Sequence, residues 1–142
     1  DRNTHKMAEE EYQEAAAGEM DAQYESIVSQ NEDTATQALN AGRGPSAIPD
    51  VLSNSIIGCK NQALKDRNAD VMMKLLTCVK EAGVKAIVDK LDEDQIDVLM
   101  KYVYRLLETG DNSPILLKWH ECAFEKGGLG TIVRVISERR TV

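Results

Sequence analysis

The stretch from Asp92 to Glu108 sets the tightest limit on what this chain can fold into. Its apolar side chains Ile96, Val98, Leu99, Met100, Tyr102, Val103, Leu106 and Leu107 recur at helical spacing but fall on more than one face. A helix with so wide an apolar surface must be covered by neighbours on several sides, so it belongs at the centre of a helical domain. Asp92-Glu93-Asp94-Gln95 opens it as a capping box, an N-cap acid with Gln three residues later. Gly110 is expected to close it.

Other helices are punctuated around this centre. Leu64, Val71, Met72, Leu75, Leu76 and Val79 recur at three and four residues and predict a helix over roughly 60–82, stopped by Gly83. Val84, Ile87, Val88 and Leu91 predict a short one after it. Ser113 and Pro114 read as N-cap and first residue of a helix reaching about Lys126, with Ile115, Leu116, Trp119, Ala123 and Phe124 inward. Gly127 and Gly128 end it. A last helix, roughly 130–139, gathers Leu129, Ile132, Val133 and Ile136 on one face, with Arg139 and Arg140 in its final turn.

Upstream, residues 21–41 predict two short helical pieces. Ile27 and Val28 mark the face of the first; the second is capped by Asp33 or Thr34, contains Ala35, Ala38 and Leu39, and stops at Gly42. Between them and the long helix, Gly42–Gly58 holds Pro45 and Pro49 and reads as loop-like, with Val51, Leu52, Ile56 and Ile57 able to pack part of it down. Nothing alternates with a period of two, so no strand is expected. The expected fold is all-α: a single helical domain, a small α-solenoid or superhelical bundle of about six to seven helices.

Charge divides the chain more sharply than hydropathy. Residues 1–33 hold ten acids and two bases, a balance of −8, while the remaining 14 acids and 15 bases leave +1. Within residues 1–20 the only large apolar side chains are Met7, Tyr12 and Met20. So little apolar surface cannot offset the entropy of ordering, which predicts an extended acidic arm, disordered or transiently helical alone. It is either a solvated tail or a segment ordered on partners, with Glu10, Glu11, Tyr12 and Glu14 as candidate partner-binding residues. Residues 21–142 form the helical body. The arm would be repelled by nucleic acid and by anionic membranes, and suits a basic protein surface.

The chemistry-bearing residues do not assemble into a catalytic set. His120 and Cys122 stand two apart on a helix and do not face each other, so an enzyme built on them needs contacts from elsewhere. The turn Gly127-Gly128-Leu129-Gly130-Thr131 lacks both the preceding strand and the Lys-Ser/Thr pair of a phosphate-binding loop. Asp92–Asp97 fails as a calcium loop, because Asp97 occupies the sixth position and Val103 the twelfth. Cys59, Cys78 and Cys122 are too widely spaced for a metal knuckle and odd in number, which suits free thiols in a reducing cytosol. Lys60, Lys65 and Arg67 read as a solvated basic patch. No cofactor or metal is expected. No apolar run approaches the ~18 residues of a membrane span, and no basic start leads into a secretory hydrophobic stretch.

Longer stretches carry a resemblance. Val98-Leu99-Met100-Lys101-Tyr102-Val103-Tyr104, Asp111-Asn112-Ser113, Leu116-Leu117-Lys118-Trp119-His120-Glu121, Gly127-Gly128-Leu129-Gly130-Thr131-Ile132-Val133-Arg134-Val135 and Arg140-Thr141-Val142 closely resemble the sixteen-kilodalton subunit of the actin-related-protein 2/3 complex. Gln62-Ala63-Leu64-Lys65-Asp66-Arg67 is similar to an earlier helix of that family. These motifs cover roughly residues 60–142; the arm matches in character, acidic with a tyrosine. The resemblance implies a superhelical body and a non-catalytic structural subunit of the assembly that nucleates branched actin filaments, in the cytoplasmic actin cytoskeleton. It implies a body docked on the twenty-kilodalton subunit, an arm reaching actin-related protein 2, and the propeller subunit alongside. The alternative is a free-standing helical adaptor that binds peptide segments in a groove between helices.

Overall fold

The computed structural model describes residues 2–109, 113–138 and 140–142, without the side chains of residues 13–19 and 113. Among them there are only helices: α1 (Arg2–Asn40), a 3-10 turn (Gly44–Ala47), α2 (Ile48–Ser53), α3 (Gln62–Thr77), α4 (Glu81–Val88), α5 (Glu93–Leu107) and α6 (Ser113–Ser137). The all-α expectation holds.

Helix α5 is the centre. Ile96, Val98, Leu99, Met100, Tyr102, Val103 and Leu106 are buried, and α6, α3 and α2 pack around them. The capping box forms as the sequence predicts: Gln95 N donates to Asp92 Oδ1 at 2.8 Å and Asp92 N donates to Gln95 Oε1 at 2.9 Å. Gln95 Nε2 also reaches Ser53 Oγ (2.9 Å) and the Pro49 carbonyl (3.2 Å), fixing α2 against the start of α5. Trp119 of α6 is fully buried and its indole N–H donates to the Leu76 carbonyl at 3.0 Å. That bond satisfies one of the carbonyls a helix leaves unpaired in its last turn.

Several expectations need correction. Residues 21–41 are one helix, not two, and Asp33 and Thr34 lie inside it. Val28, Asn31, Ala35 and Ala38 make a continuous buried face through that point, and packing outweighs the local capping preference. Helix α1 does stop at Gly42 (φ 71°), where Arg43 N bonds the Ala38 carbonyl (2.7 Å) and Gly42 N the Leu39 carbonyl (3.1 Å), a Schellman closure. The loop-like stretch 42–58 contains the 3-10 turn and α2, with Val51, Leu52 and Ile56 buried.

Helix α3 ends at Thr77, before Gly83, which instead lies inside α4. The last-turn carbonyls of Met73 and Leu75 are taken by Thr77 Oγ1 (2.7 Å) and Cys78 Sγ (3.0 Å), so the chain can turn without a glycine. The glycine turn of the last two helices is real but tight: α6 passes through Gly128 (φ 68°, ψ −166°), and the second half ends at Ser137. The Gly110 stop, Asp111, Asn112, the Ser113 cap and Arg139 lie outside what is described.

The acidic arm is also different. Residues 2–20 are the first half of α1 and are helical rather than extended. Its Ala, Glu, Met and Gln residues are strong helix formers, and the helix is already nucleated by the packed half downstream.

Candidate protein–protein interface

The residues that invite a catalytic reading are each occupied in the fold. The His120 ring lies edge-on to Tyr104 of α5, centroids 5.5 Å apart at 70°, and Nε2 shares a 3.2 Å hydrogen bond with the tyrosine hydroxyl. Its partner is a neighbouring helix rather than Cys122. That thiol is buried, and burial pushes its pKa up, away from a reactive thiolate. The calcium-like acids have other work: Asp92 caps α5, while Asp97 grips Arg134 through both oxygens (2.7 and 3.1 Å) and Glu93 takes a third contact at 3.1 Å. Among the described residues no group of His, Cys, Asp or Glu is arranged to hold a metal ion, and no helix is long and apolar enough to cross a membrane.

The glycine turn is a packing device. A Cβ on Gly127 would stand 2.0 Å from Thr131 Oγ1 and 3.0 Å from Ile96 Cγ2, so only glycine lets this end of α6 lie on α5. Thr131 is itself fully buried there.

The basic patch is not simply solvated either. Arg67 bonds Glu32 and lies 3.7 Å from Glu25, tying α3 to α1. Lys65 Nζ reaches Thr141 Oγ1 at 2.6 Å. Beside them a buried polar chain crosses the molecule: Asn31 Nδ2 donates to the Asn54 carbonyl and to Asn68 Oδ1, both at 3.0 Å, and Asn68 Nδ2 donates to the Tyr102 hydroxyl. Burial raises the pKa of that hydroxyl, so it stays protonated. Sequence reading missed this network because its members are 34 and 37 residues apart, and no local pattern marks an asparagine for burial.

Among the described residues, the uncovered large apolar side chains fall in two places. In the body, among the described residues, the exposed large hydrophobic side chains are Leu117, Phe124, Leu129, Val133 and Ile136, 44–73% accessible and all on α6. Phe124, expected inward, faces out because Trp119, Cys122 and Ala123 take the buried side of that turn. Leu129, Val133 and Ile136 follow the i, i+4, i+7 rule of one helical stripe, which the sequence shows but assigns to the core. A clustered apolar stripe on one helix marks a protein-binding surface.

The second place is the outer half of α1. Described side chains from Arg2 to Tyr12 are all exposed, including Met7 and Tyr12, and so is Met20. Of the candidate partner residues, Glu10, Glu11 and Tyr12 stand on this exposed helix; the side chain of Glu14 lies outside those described. Among the described side chains, body contacts run from Asp21, whose Oδ2 accepts from Asn61 Nδ2 at 3.3 Å, through Tyr24, Ile27 and Val28.

Comparison with known proteins places this architecture. The family model described as "ARP2/3 complex 16 kDa subunit (p16-Arc)" matches residues 2–142, well beyond the motifs of the C-terminal half. Actin-related protein 2/3 complex subunit 5 of Dictyostelium discoideum is 49% identical over 126 residues, covering 89% of this chain and 91% of its own. The human actin-related protein 2/3 complex subunit 5-like protein is 38% identical over 131 residues, 82% of this chain and 86% of its own. Xenopus laevis subunit 5-B is 46% identical over 98 residues, 68% of this chain and 64% of its own.

Proposed function

The chain belongs to the ARP2/3 complex 16 kDa subunit (p16-Arc) family, and from that premise we propose that it is a non-catalytic structural subunit of the complex that nucleates branched actin filaments. In this reading it works in the cytoplasmic actin cytoskeleton as one member of a hetero-oligomer. Its body docks through the α6 stripe on the twenty-kilodalton subunit, with the propeller subunit beside it. The outer half of α1 reaches actin-related protein 2 through Glu10, Glu11, Tyr12 and Glu14, and so holds that subunit to the rest.

The observation that carries this is that, among the described residues of the body, the exposed large apolar side chains all lie on α6. Five such residues on one helix are costly to leave in water at roughly 25 cal/mol per Å2 of apolar surface, and a subunit partner removes that cost. Charge supports the second contact, since the arm carries most of the chain's negative balance and its described side chains are exposed.

The test is affinity purification of tagged chain from cells, with mass spectrometry of what accompanies it. Val133→Asp with Ile136→Asp should abolish recovery of the other subunits while leaving the helical circular-dichroism spectrum intact. Removing residues 1–20 should selectively weaken retention of actin-related protein 2. Unchanged recovery in both variants, or migration of the native chain solely as a small free protein, would contradict the proposal and favour the free adaptor.

A further inference from the structure

We propose that Thr141 is a phosphoacceptor, and that Lys65 together with the cationic groove of Lys101, Arg105 and Arg140 is the built-in receptor for its phosphate. The inference goes beyond the assembly role and concerns the free chain, since the cavity shares Ile136 with the α6 stripe.

After Ser137 the chain leaves the helix, and its described residues are brought against α3 and α5. Three cations hold it there. Lys101 Nζ donates to the Arg140 carbonyl at 3.3 Å, Arg105 Nη1 to the main-chain oxygen of Val142 at 3.0 Å, and Lys65 Nζ to Thr141 Oγ1 at 2.6 Å. The Val142 side chain is buried in the main core while Thr141 is exposed. The segment is thus seated by Val142 and presents the threonine outward.

Arg105 is paired with Asp66 and Arg140 with Glu138, which leaves the two lysines. Among the described residues neither Lys65 nor Lys101 has a carboxylate within ion-pair distance; both donate to neutral oxygens. Burial lowers the pKa of Lys101, and the nearby carboxylates of Glu138 and Asp97 offset this only in part. A cavity of about 600 Å3 opens beside them, lined by Lys101, Arg105, Arg140 and Thr141 together with Glu108 and Glu138. Glu138 is already neutralised by Arg140. A phosphate on Thr141 carries about −1.5 to −2 charges at neutral pH, and would convert the Lys65 contact from a neutral hydrogen bond to a charge-assisted one.

The sequence supplies the other half of the site. Arg139 and Arg140 directly precede Thr141, a basic doublet complementary to an acidic kinase cleft. In the reaction the Thr141 Oγ–phosphorus bond forms as the terminal phosphoryl group leaves a nucleoside triphosphate. The nucleoside diphosphate departs and the hydroxyl proton passes to the kinase's base. The tail must lift from the groove to be modified, which breaks two side-chain bonds to main-chain oxygens and one to the hydroxyl, and uncovers Val142. Ser137 is the internal contrast. Its cavity is lined by Asp97, Glu138, Lys101 and Arg134, and Arg134 is committed to Asp97 and Glu93, so Lys101 alone is left to meet a phosphate there, whereas Thr141 already contacts Lys65.

The experiment uses the full chain, ATP and a protein kinase that selects basic residues before its target, followed by mass-spectrometric site mapping. The expected result is phosphate on Thr141 ahead of Ser137. The phosphorylated protein is then treated with a broad-specificity phosphatase. Wild type should lose its phosphate several-fold more slowly than Lys65→Ala, and Lys65→Arg should restore the slow loss. Phosphate absent from Thr141, or equal loss in wild type and Lys65→Ala, would overturn the proposal.

Discussion

Helix α1 is one continuous helix of 39 residues with two unlike halves. From Asp21 to Asn40 it is part of the fold: Val28 and Asn31 are buried, Ala35 and Ala38 sit in the main core, and Glu25 and Glu32 face Arg67 of α3. From Arg2 to Met20 it runs on for about 28 Å at ~1.5 Å per residue, with every described side chain exposed. The difference teaches that helicity and tertiary support are separate properties. The inner half is helical because it is packed. The outer half is helical because its residues favour helix and because the inner half has already formed the costly first turn.

The largest effect that can break this comparison lies in the inner half. Asn31→Ala strands the Asn54 carbonyl and one side of the Asn68 amide inside the protein, and should cost roughly 2–3 kcal/mol in urea unfolding. A loss near zero would mean the inner half is not part of the cooperative unit. Next is Ala35→Gly, which should cost about 1 kcal/mol or somewhat more, since it adds backbone entropy and removes a buried methyl.

The segment after α6 sharpens the contrast, because it is held by hydrogen bonds from cationic side chains and by the buried Val142. Hydrogen bonds from Arg140 hold the Glu138 carboxyl down to about 2. A depressed folded pKa stabilises the docked tail above the ordinary carboxylate range, and that contribution is lost as pH falls through the interval from about 4.5 to about 2. Proteolytic clipping of the tail should therefore accelerate across that window, and Glu138→Gln should flatten the response. The outer half of α1 is the control, since its described ion pair, His5–Glu9, runs along the exposed helix itself.

The smallest expected effect on global stability is Ala8→Gly, within about 0.5 kcal/mol by unfolding. The same substitution should visibly reduce helical circular dichroism, because Ala8 lies where only local propensity holds the helix. A fall in the unfolding midpoint comparable to that of Ala35→Gly would show that the outer half is packed after all.

These halves also mark where the sequence was readable. Helix α5 was legible because its apolar residues exceed what one face can hold, and the Asp92–Gln95 box needs only three residues of spacing. The scarcity of apolar side chains in residues 1–20 goes with the exposure of the described side chains there, but it said nothing of backbone conformation, which Ala and Glu determine. The α6 stripe was visible as periodicity. Periodicity says that a face is apolar, without saying whether the cover belongs to this chain or another. The tail and the Asn31–Asn68–Tyr102 chain were illegible, because each depends on side chains that meet only after the helices have packed.

The account rests on the outer half of α1 being unsupported in the free chain and supported in the assembly. Amide hydrogen exchange across residues 2–40, in the free chain and in the purified complex, measures this directly. In the free chain residues 2–20 should exchange with little protection while residues 21–40 exchange only with global unfolding; in the complex the outer half should become protected. Equal protection of both halves in the free chain, or no gain in the complex, would contradict it.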